Sequence, residues 1–414
     1  MIIHPPEVQK RDGEVEVSAR VELTRPIPDL PDRLWFSFPE KYAPYLHNCS
    51  DAFASALLLL AQFFNEPLEV RGEISPQLAY NLHEIQSLFH QWLPRLFHLI
   101  DLKFEGYRHM PYTTAGKVGA AFSGGVDSCY VLWKHLPENQ PIPEARLTHG
   151  VFVHGFDIRL FEKDYYQHLY QHYSTQFEQL GLELIPARTN AYLFSEFRVN
   201  WEYTHGGALA GIAQCLGGLF SRFYIPAAVR YQDIYPTGTN PISDPFFSTE
   251  TLKIIHSGAR RSRFEKIFEF GSWPFLRENL RVCMYTYPAH GEFNCKRCDK
   301  CLRTSAMLSA GGYLGDFKTL KPELTWRDYL QWSWTVYPSF STRQIARHAW
   351  RNKRWDIALP IQMVLLSQWI KQKMLHPIIS RIPLPLMYRL KRRIFRRRSE
   401  VEQLSLNAAR KDGA

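Results

Sequence analysis

No stretch of this sequence reaches the roughly 18 consecutive apolar residues that a helical membrane span requires. Its longest apolar run, residues 54–64, has the length of a buried core helix. The opening Met1-Ile2-Ile3-His4-Pro5-Pro6 has no basic segment followed by an apolar block, so no secretory leader is expected and the cytoplasm is the default compartment. The string Gly-x-x-x-x-Gly-Lys-Ser/Thr of the common P-loop is missing, which excludes that class of nucleotide binder. No segment recurs at a fixed period, so repeat architectures are excluded. Acidic residues are absent from residues 371–398, which carry ten Lys and Arg. The whole chain has a net charge of +10, so this one segment equals the entire excess. The remainder is near neutral, which argues against a nucleic-acid-binding body that is basic throughout.

What is present describes a large globular chain. Its 414 residues allow two or three domains. The 45% hydrophobic and 22% charged content is ordinary for packed cores, and 14% aromatics points to dense cores or aromatic-lined pockets. Residues 1–110 read as an α+β unit, with strands over 14–23, 33–38 and 68–70 and a helix over 51–64 capped by Ser50 or Asp51. A second helix opens at Ser75, with Pro76 in its first position. From 111 to 315 strands at 118–122, 147–153, 182–186 and 223–226 alternate with helices at 127–135, 164–180 and 208–219. Such alternation predicts an α/β fold with a doubly wound parallel sheet, whose ligands bind at the carboxyl ends of strands. Residues 316–414 read as a helical extension, crowded with Trp326, Trp332, Trp334, Trp350, Trp355 and Trp369 and basic towards its end.

Between the strand at 118–122 and the following helix lies Ser123-Gly124-Gly125-Val126-Asp127-Ser128. A strand, a Gly-Gly turn and a helix start form an anion cradle. Glycine lets the backbone approach closely, and the helix N-terminus presents unpaired N–H groups. Ser123 and Ser128 add hydroxyls. Asp127 repels phosphate, so it is expected to hold Mg²⁺ or the loop itself. The string resembles the PP-loop signature Ser-Gly-Gly-x-Asp-Ser of the ATP pyrophosphatases. That resemblance implies ATP binding by residues 123–128, with Asp127 and Ser128 in the chemistry. It also implies cleavage of ATP between its α and β phosphates, with the substrate activated as an adenylate.

Seven cysteines are present, and Cys283, Cys295, Cys298 and Cys301 fall within nineteen residues. The Cys-x2-Cys-x2-Cys knuckle with a more distant fourth thiol suits a tetrahedral structural Zn²⁺ site; an iron–sulfur cluster is the alternative metal. Lys296, Arg297 and Lys300 would offset the thiolate charge. A PP-loop followed by this cysteine pattern resembles the 7-cyano-7-deazaguanine synthase family of the queuosine pathway, across about residues 115–310. The resemblance implies zinc held by the four cysteines. It also implies ATP-dependent activation of a carboxylate or carbonyl, followed by attack of ammonia or another amine. The chain departs from the family in three places. The gap after Cys283 is longer, Lys296 stands where glycine is common, and Arg303 stands one place nearer the last cysteine.

In PP-loop enzymes the end of the second strand lies beside adenosine, so the resemblance marks Phe152 and Val153 for adenine, while position alone marks His154 and Asp157 for substrate. His205-Gly206-Gly207 is read as the opening of a helix rich in small residues, with His205 and Gly206 near the nucleotide or substrate. Asp244, in a turn-rich loop over 237–245, is a candidate for a base edge or a second Mg²⁺. In the basic run after it, Arg263 and Lys266 are candidates to meet pyrophosphate or a carboxylate, against the plainer account of a solvated basic face. Within the basic segment 371–398, residues 384–398 offer an apolar stripe beside cations, suited to an anionic membrane surface, RNA or an acidic partner. The expected activity is that of a C–N-ligase-like ATP pyrophosphatase. Its alternatives are thiolation of a nucleobase, with Cys129 or Cys215 as the only unclustered thiols in the domain, and a non-catalytic ATP sensor held at a membrane or nucleic acid.

Overall fold

The computed structural model describes residues 1–27, 29–109, 112–283, 292–335 and 340–379. In chain order the first third forms β1 (Ile2–Ile3), β2 (Glu7–Arg11), β3 (Glu14–Glu22), β4 (Arg33–Pro39), α1 (Asp51–Phe64), β5 (Leu68–Ile74), α2 (Pro76–Trp92) and β6 (Leu102–Tyr107). Then follow β7 (Lys117–Phe122), α3 (Val126–Lys134), β8 (His149–His154), α4 (Lys163–Gln179), β9 (Glu183–Thr189), α5 (Ala191–Ser195), α6 (Trp201–Cys215), β10 (Phe220–Pro226) and β11 (Lys253–Ser257). Helices complete the chain: α7 (Arg263–Phe270), α8 (Pro274–Asn279), α9 (Asp299–Ala310), α10 (Trp326–Thr335), α11 (Phe340–Arg351) and α12 (Trp355–Ile379).

Local chemistry accounts for many of these boundaries. Ser75 caps α2 by accepting from the Leu78 N–H, with Pro76 at the first helical position, where its missing N–H is harmless. Ser262 and Glu265 close a capping box at α7. The apolar run of α1 is buried along nearly its whole length, as its lack of a polar face requires.

The strands form one sheet in the order β11-β10-β7-β8-β9-β4-β3-β1-β5-β6, with β2 also on β3. Its half from β11 to β9 is parallel throughout. From β7 the chain winds through β8 and β9 in one direction, then returns to place β10 on the other flank of β7 and β11 beyond it. The winding therefore reverses between β7 and β10, and ligands gather at the carboxyl ends of strands at such a reversal. β4 pairs antiparallel with β9 through Phe36 and Thr189. The N-terminal strands thus extend the central sheet, and the expected boundary near residue 110 does not divide it.

Two apolar cores cover the two faces of the sheet. α3, α4 and α7 to α12 contribute to one, and α1, α2 and α6 to the other. Successive residues of β7 show the alternation: Ala120 and Phe122 face the first core and Ala121 the second. The small residues of α6 let its backbone meet α1, because a Cβ at Gly207 would lie 2.0 Å from the Ser55 carbonyl oxygen. α6 begins at Trp201, seven residues earlier than its composition indicated, with Asn200 accepting from the Glu202 N–H as its cap. Pro377 falls within α12.

Candidate functional site

The Ser-Gly-Gly-Val-Asp-Ser loop leaves β7 at Phe122 and enters α3 at Val126, at the point where the winding reverses. Gly124 has φ +77°, and a Cβ there would lie 2.1 Å from the Tyr173 hydroxyl, so only glycine fits. Ser128 Oγ accepts from the Ser123 N–H at 3.2 Å and donates to the Gly125 carbonyl at 3.0 Å, which folds the loop onto itself. Both expected serines therefore shape the loop. Gly125 caps α3 without any side-chain oxygen. The first-turn N–H groups therefore have no acceptor from the cap side chain and no intrahelical one, the standard condition for binding an anion.

Cations from separate elements surround this turn. Asp127 accepts from Arg263 Nε at 3.0 Å and Nη2 at 2.5 Å, and from Lys266 Nζ at 2.8 Å. Burial opposes its ionisation, but the charges of Arg263 and Lys266 prevail and hold its carboxyl well below the usual range. Lys266 also donates to the Ala227 carbonyl, just beyond β10, at 2.6 Å. It is wholly buried, so its ammonium acts through Asp127, and the direct catalytic contact expected of it is corrected to a positioning role. The capping box explains the arrangement of the basic run: it sets the phase of α7, which turns Arg263 and Lys266 towards Asp127 and leaves Arg260 and Arg261 exposed.

Arg281 joins them from the segment after α8. Its N–H donates to the Gly124 carbonyl at 2.8 Å and its Nε to the Tyr165 hydroxyl at 3.2 Å. The residue is 4% exposed, and its Nη2 is buried with no hydrogen-bond partner among the described residues. Burying an unsatisfied guanidinium nitrogen is costly, so a local rearrangement that brings an acceptor to it would be favoured.

Cys283, Cys295, Cys298 and Cys301 bring their sulfur atoms within 4.8 Å of one another. Cys283 and Cys298 stand 4.0 Å apart, and Cys295 and Cys301 3.9 Å. Four thiolates at ~2.3 Å from one zinc ion are separated by ~3.8 Å, so the quartet fits a single tetrahedral metal such as zinc. A multi-iron cluster would need its own core between the thiolates, and these spacings leave no such room. The N–H groups of Cys295 and Cys298 point at the Cys283 and Cys295 sulfurs at 3.4 and 3.3 Å, which suits anionic thiolates. Buried Asn294 secures the knuckle, accepting from the N–H groups of Val282 and Cys283 and donating to the Leu280 carbonyl. Lys296 takes φ +59°, the left-handed conformation that favours glycine.

Cys298 caps α9. On that helix Lys300 is near enough to favour the ionised form of Asp157, and Arg303, whose pKa is lowered chiefly by burial, pairs with Asp299 at 3.3 Å and feels the charges of Arg263 and Asp127. Asp157 is exposed and lies near four cationic or titratable side chains. Burial raises its pKa, but Lys300, Arg281, His205 and Arg159 outweigh this and hold it low. Asp157 thus lies within electrostatic reach of His205 and of Arg281, whose N–H meets the Gly124 carbonyl.

Other expected contacts are corrected. Phe152 is buried under Tyr166, with parallel rings 5.2 Å apart, and its neighbour Val153 packs into the opposite core, so both serve the sheet. His154 is buried, stacks on Tyr166 and reaches the Arg159 carbonyl at 2.7 Å, which fixes the turn that follows β8. Gly206 lies inside α6, where a Cβ would meet the Gly238 carbonyl oxygen at 1.7 Å, so it serves helix-to-loop packing and not ligand approach. His205 bridges to the same loop through Thr239 Oγ1 at 3.2 Å. Asp244 is wholly buried; one carboxylate oxygen meets His256 Nδ1 at 2.8 Å and the other accepts from the Asn240 N–H at 3.2 Å. It can meet neither a base nor a metal.

Cys129 and Cys215 are buried in the two cores, and burial pushes both thiols well above their ordinary range. Sulfur transfer through either has no support. Of the basic segment 371–398, only Lys371, Lys373 and the intervening chain to residue 379 are described; the amphipathic stretch at 384–398 lies outside the described residues. No helix among the described residues is long and apolar enough to cross a membrane.

Sequence reasoning missed Arg281, which belongs to no motif; its one signal is a lone arginine between Leu280 and Val282, just before the first cysteine. No family model matches the chain, and no curated protein or solved structure matches it.

Proposed function

We propose that the protein is an ATP-dependent enzyme that activates a carboxylate or carbonyl as an adenylate, releases pyrophosphate, and passes the activated group to ammonia or another amine. The observation that carries this reading is the Ser-Gly-Gly-Val-Asp-Ser loop at the reversal between β7 and β10, with Arg263, Lys266 and Arg281 gathered around it. Arg263, Lys266 and Arg281 against the carboxylates of Asp127 and Asp157 leave a positive surplus beside helix N–H groups, which suits a polyphosphate. The amides at the start of α3 would hold phosphate oxygens. Arg281, with an unused nitrogen, would meet charge that develops as the bond between the α and β phosphates breaks. Lys266 and Asp127 would fix Arg263 in place. Mg²⁺, when bound with the nucleotide, would screen the phosphates, and the exposed carboxylate of Asp157 is the nearby acidic group suited to face it.

The substrate carboxylate oxygen attacks the α phosphorus, pyrophosphate departs, and the mixed anhydride forms. The amine nitrogen then attacks the carbonyl carbon, AMP departs, and the amine proton passes to solvent. The four cysteines take zinc and brace α9; they perform no step. These steps end at an amide, the first half of the carboxylate-to-nitrile conversion of the deazaguanine-nitrile synthases whose motifs the chain resembles; the substrate is left at the level of a carboxylate.

The test is incubation with ATP, Mg²⁺ and a panel of carboxylates, including 7-carboxy-7-deazaguanine, with and without ammonium. AMP and pyrophosphate in equal amounts are expected. ADP and phosphate as products, or ATP bound tightly and never turned over, would overturn the reading.

A further inference from the structure

α12 is apolar on both sides, yet only one side is packed. Ile357, Ala358, Ile361 and Val364 are buried against the core. On the opposite side Leu359, Met363, Leu366, Ile370 and Met374 are between 42% and 66% exposed. Their spacing of four, three, four and four places them in one stripe along the helix. Trp350, Trp355 and Trp369 stand 52%, 47% and 57% exposed in the same region. A groove of about 760 Å³ between α11 and α12 is lined by Leu359, Leu365 and Trp350 and rimmed by Arg343, Arg347 and Arg351. An apolar stripe of this length, left open to water, calls for a partner.

Charge identifies the partner. From residue 340 to 398 the chain carries fifteen Lys and Arg against one acid, Asp356, and Asp356 is already paired with Arg354 at 2.7 Å. Two copies meeting through this face would bring like charges together, so self-association is disfavoured. RNA would use the cations and could stack on the exposed tryptophans and guanidiniums, but it would leave the stripe of Leu, Met and Ile in water. A surface that needs apolar insertion, exposed tryptophans and a cationic rim together is that of an anionic lipid bilayer.

We propose that the outer face of α12, with the arginines of α11, is a docking surface for anionic membranes, seating the protein on the bilayer without crossing it. This goes beyond the ATP chemistry and does not depend on it, because the stripe shares no residue with the loop cluster.

The test is sedimentation of the full-length protein with vesicles of phosphatidylcholine alone and of phosphatidylcholine with phosphatidylglycerol. Binding is expected only to the anionic vesicles, weakening as salt rises. The double substitution Met363→Glu and Leu366→Glu should lower the partition coefficient more than tenfold without moving the melting temperature, since both side chains already face water. Arg343→Glu with Arg347→Glu should weaken binding to anionic vesicles and remove much of the salt dependence. Three results would overturn the proposal: equal binding of wild type and the Met363/Leu366 variant; an RNA gel shift tighter than vesicle binding and indifferent to that variant; or a dimer that the variant dissolves, with no vesicle binding at any salt.

Discussion

Two buried ion clusters in this chain mirror each other. In one, a single carboxylate, Asp127, is shared by two cations, Arg263 and Lys266. In the other, a single cation, Arg108, is shared by two carboxylates, Asp51 at 3.2 Å and Glu250 at 3.4 Å. The second cluster has its carboxylates satisfied: Asp51 also accepts from the Ser75 N–H, Glu250 from Ser75 Oγ and the Gln77 N–H, and Arg108 lies over the Tyr112 ring, although its Nε is buried without a hydrogen-bond partner among the described residues. It clasps α1, α2 and the segment before β11 together. The first cluster has positive charge in surplus, and the neighbouring Arg281 keeps a buried nitrogen without a partner among the described residues. Burying charge is tolerated when it is paired. The clasp is unbalanced too, by a negative charge, but backbone N–H and hydroxyl donors meet its carboxylates; the loop cluster's surplus is positive and lies beside a helix N-terminus, so the ligand that would complete it is an anion.

The largest effect should come from exchanging the carboxylates. Asp127→Asn is expected to lower turnover of ATP to AMP and pyrophosphate by about 10²–10³, because Arg263 and Lys266 lose the anion that aims them. Asp51→Asn should leave turnover per folded molecule within about threefold while lowering stability by roughly 3–5 kcal/mol, the range for breaking a buried pair. Urea unfolding beside a pyrophosphate-release assay separates the two. If Asp51→Asn abolishes turnover in protein that is still folded, the clasp is not merely structural and the distinction fails.

The same two residues should respond to pH with opposite slopes. The folded state holds the Asp127 carboxyl below its unfolded value, so its contribution to stability is present above about pH 4 and is lost as pH falls through the lowered value. For Asp51, burial outweighs the pull of Arg108 and raises the carboxyl. Its contribution is therefore largest below about pH 4 and declines as pH rises through the raised value. The stability difference between wild type and Asp127→Asn should grow from about pH 3 to pH 5. That between wild type and Asp51→Asn should shrink over the same interval. Denaturant titrations at several pH values measure both, and parallel slopes would contradict the assignment.

Arg281→Met should act more mildly, since it removes one surplus cation and one hydrogen bond to Tyr165. A tenfold to hundredfold loss of ATP affinity is expected, about 1.4–2.7 kcal/mol, with stability nearly unchanged because the buried nitrogen it deletes is unsatisfied. Equilibrium binding of ATP by calorimetry measures it; unchanged affinity would remove Arg281 from the site.

How much of this was legible in the sequence depends on where each residue's partner lies. The loop, α1 and the cap of α2 were legible because their causes are local: a six-residue string, an apolar run, and a serine followed by proline. The four cysteines were legible from spacing. Asp244 was misread because its partner, His256, comes from β11, a strand the sequence reading did not identify. His205-Gly206-Gly207 was misread because its glycines answer to the backbone of Gly238 and Ser55, and nothing near them in sequence announces either contact. The mirror symmetry of the two ion clusters was invisible for the same reason: Asp127 and Lys266 lie 139 positions apart, and Asp51 and Arg108 lie 57 apart.

The smallest effect concerns the cysteine knuckle, which only the first cluster has near it. Lys296 holds φ +59° between Cys295 and Cys298, where a side chain meets strain that glycine escapes. Its ammonium pairs with Glu292 at 2.8 Å, but both groups are largely solvated, so that pair is worth little. Lys296→Gly should therefore relieve about 1 kcal/mol in the metal-bound fold, less the entropy that glycine adds to the unfolded chain. The variant should keep one zinc per chain and yield it to a chelator at a slightly higher chelator concentration than wild type. Chelation of either protein should then weaken ATP binding, because Lys300 and Arg303 lose the knuckle that starts α9, while the Asp51 clasp has no metal to lose. A variant that gives up its metal more readily than wild type would show that the lysine side chain supports the knuckle in some way other than through its backbone.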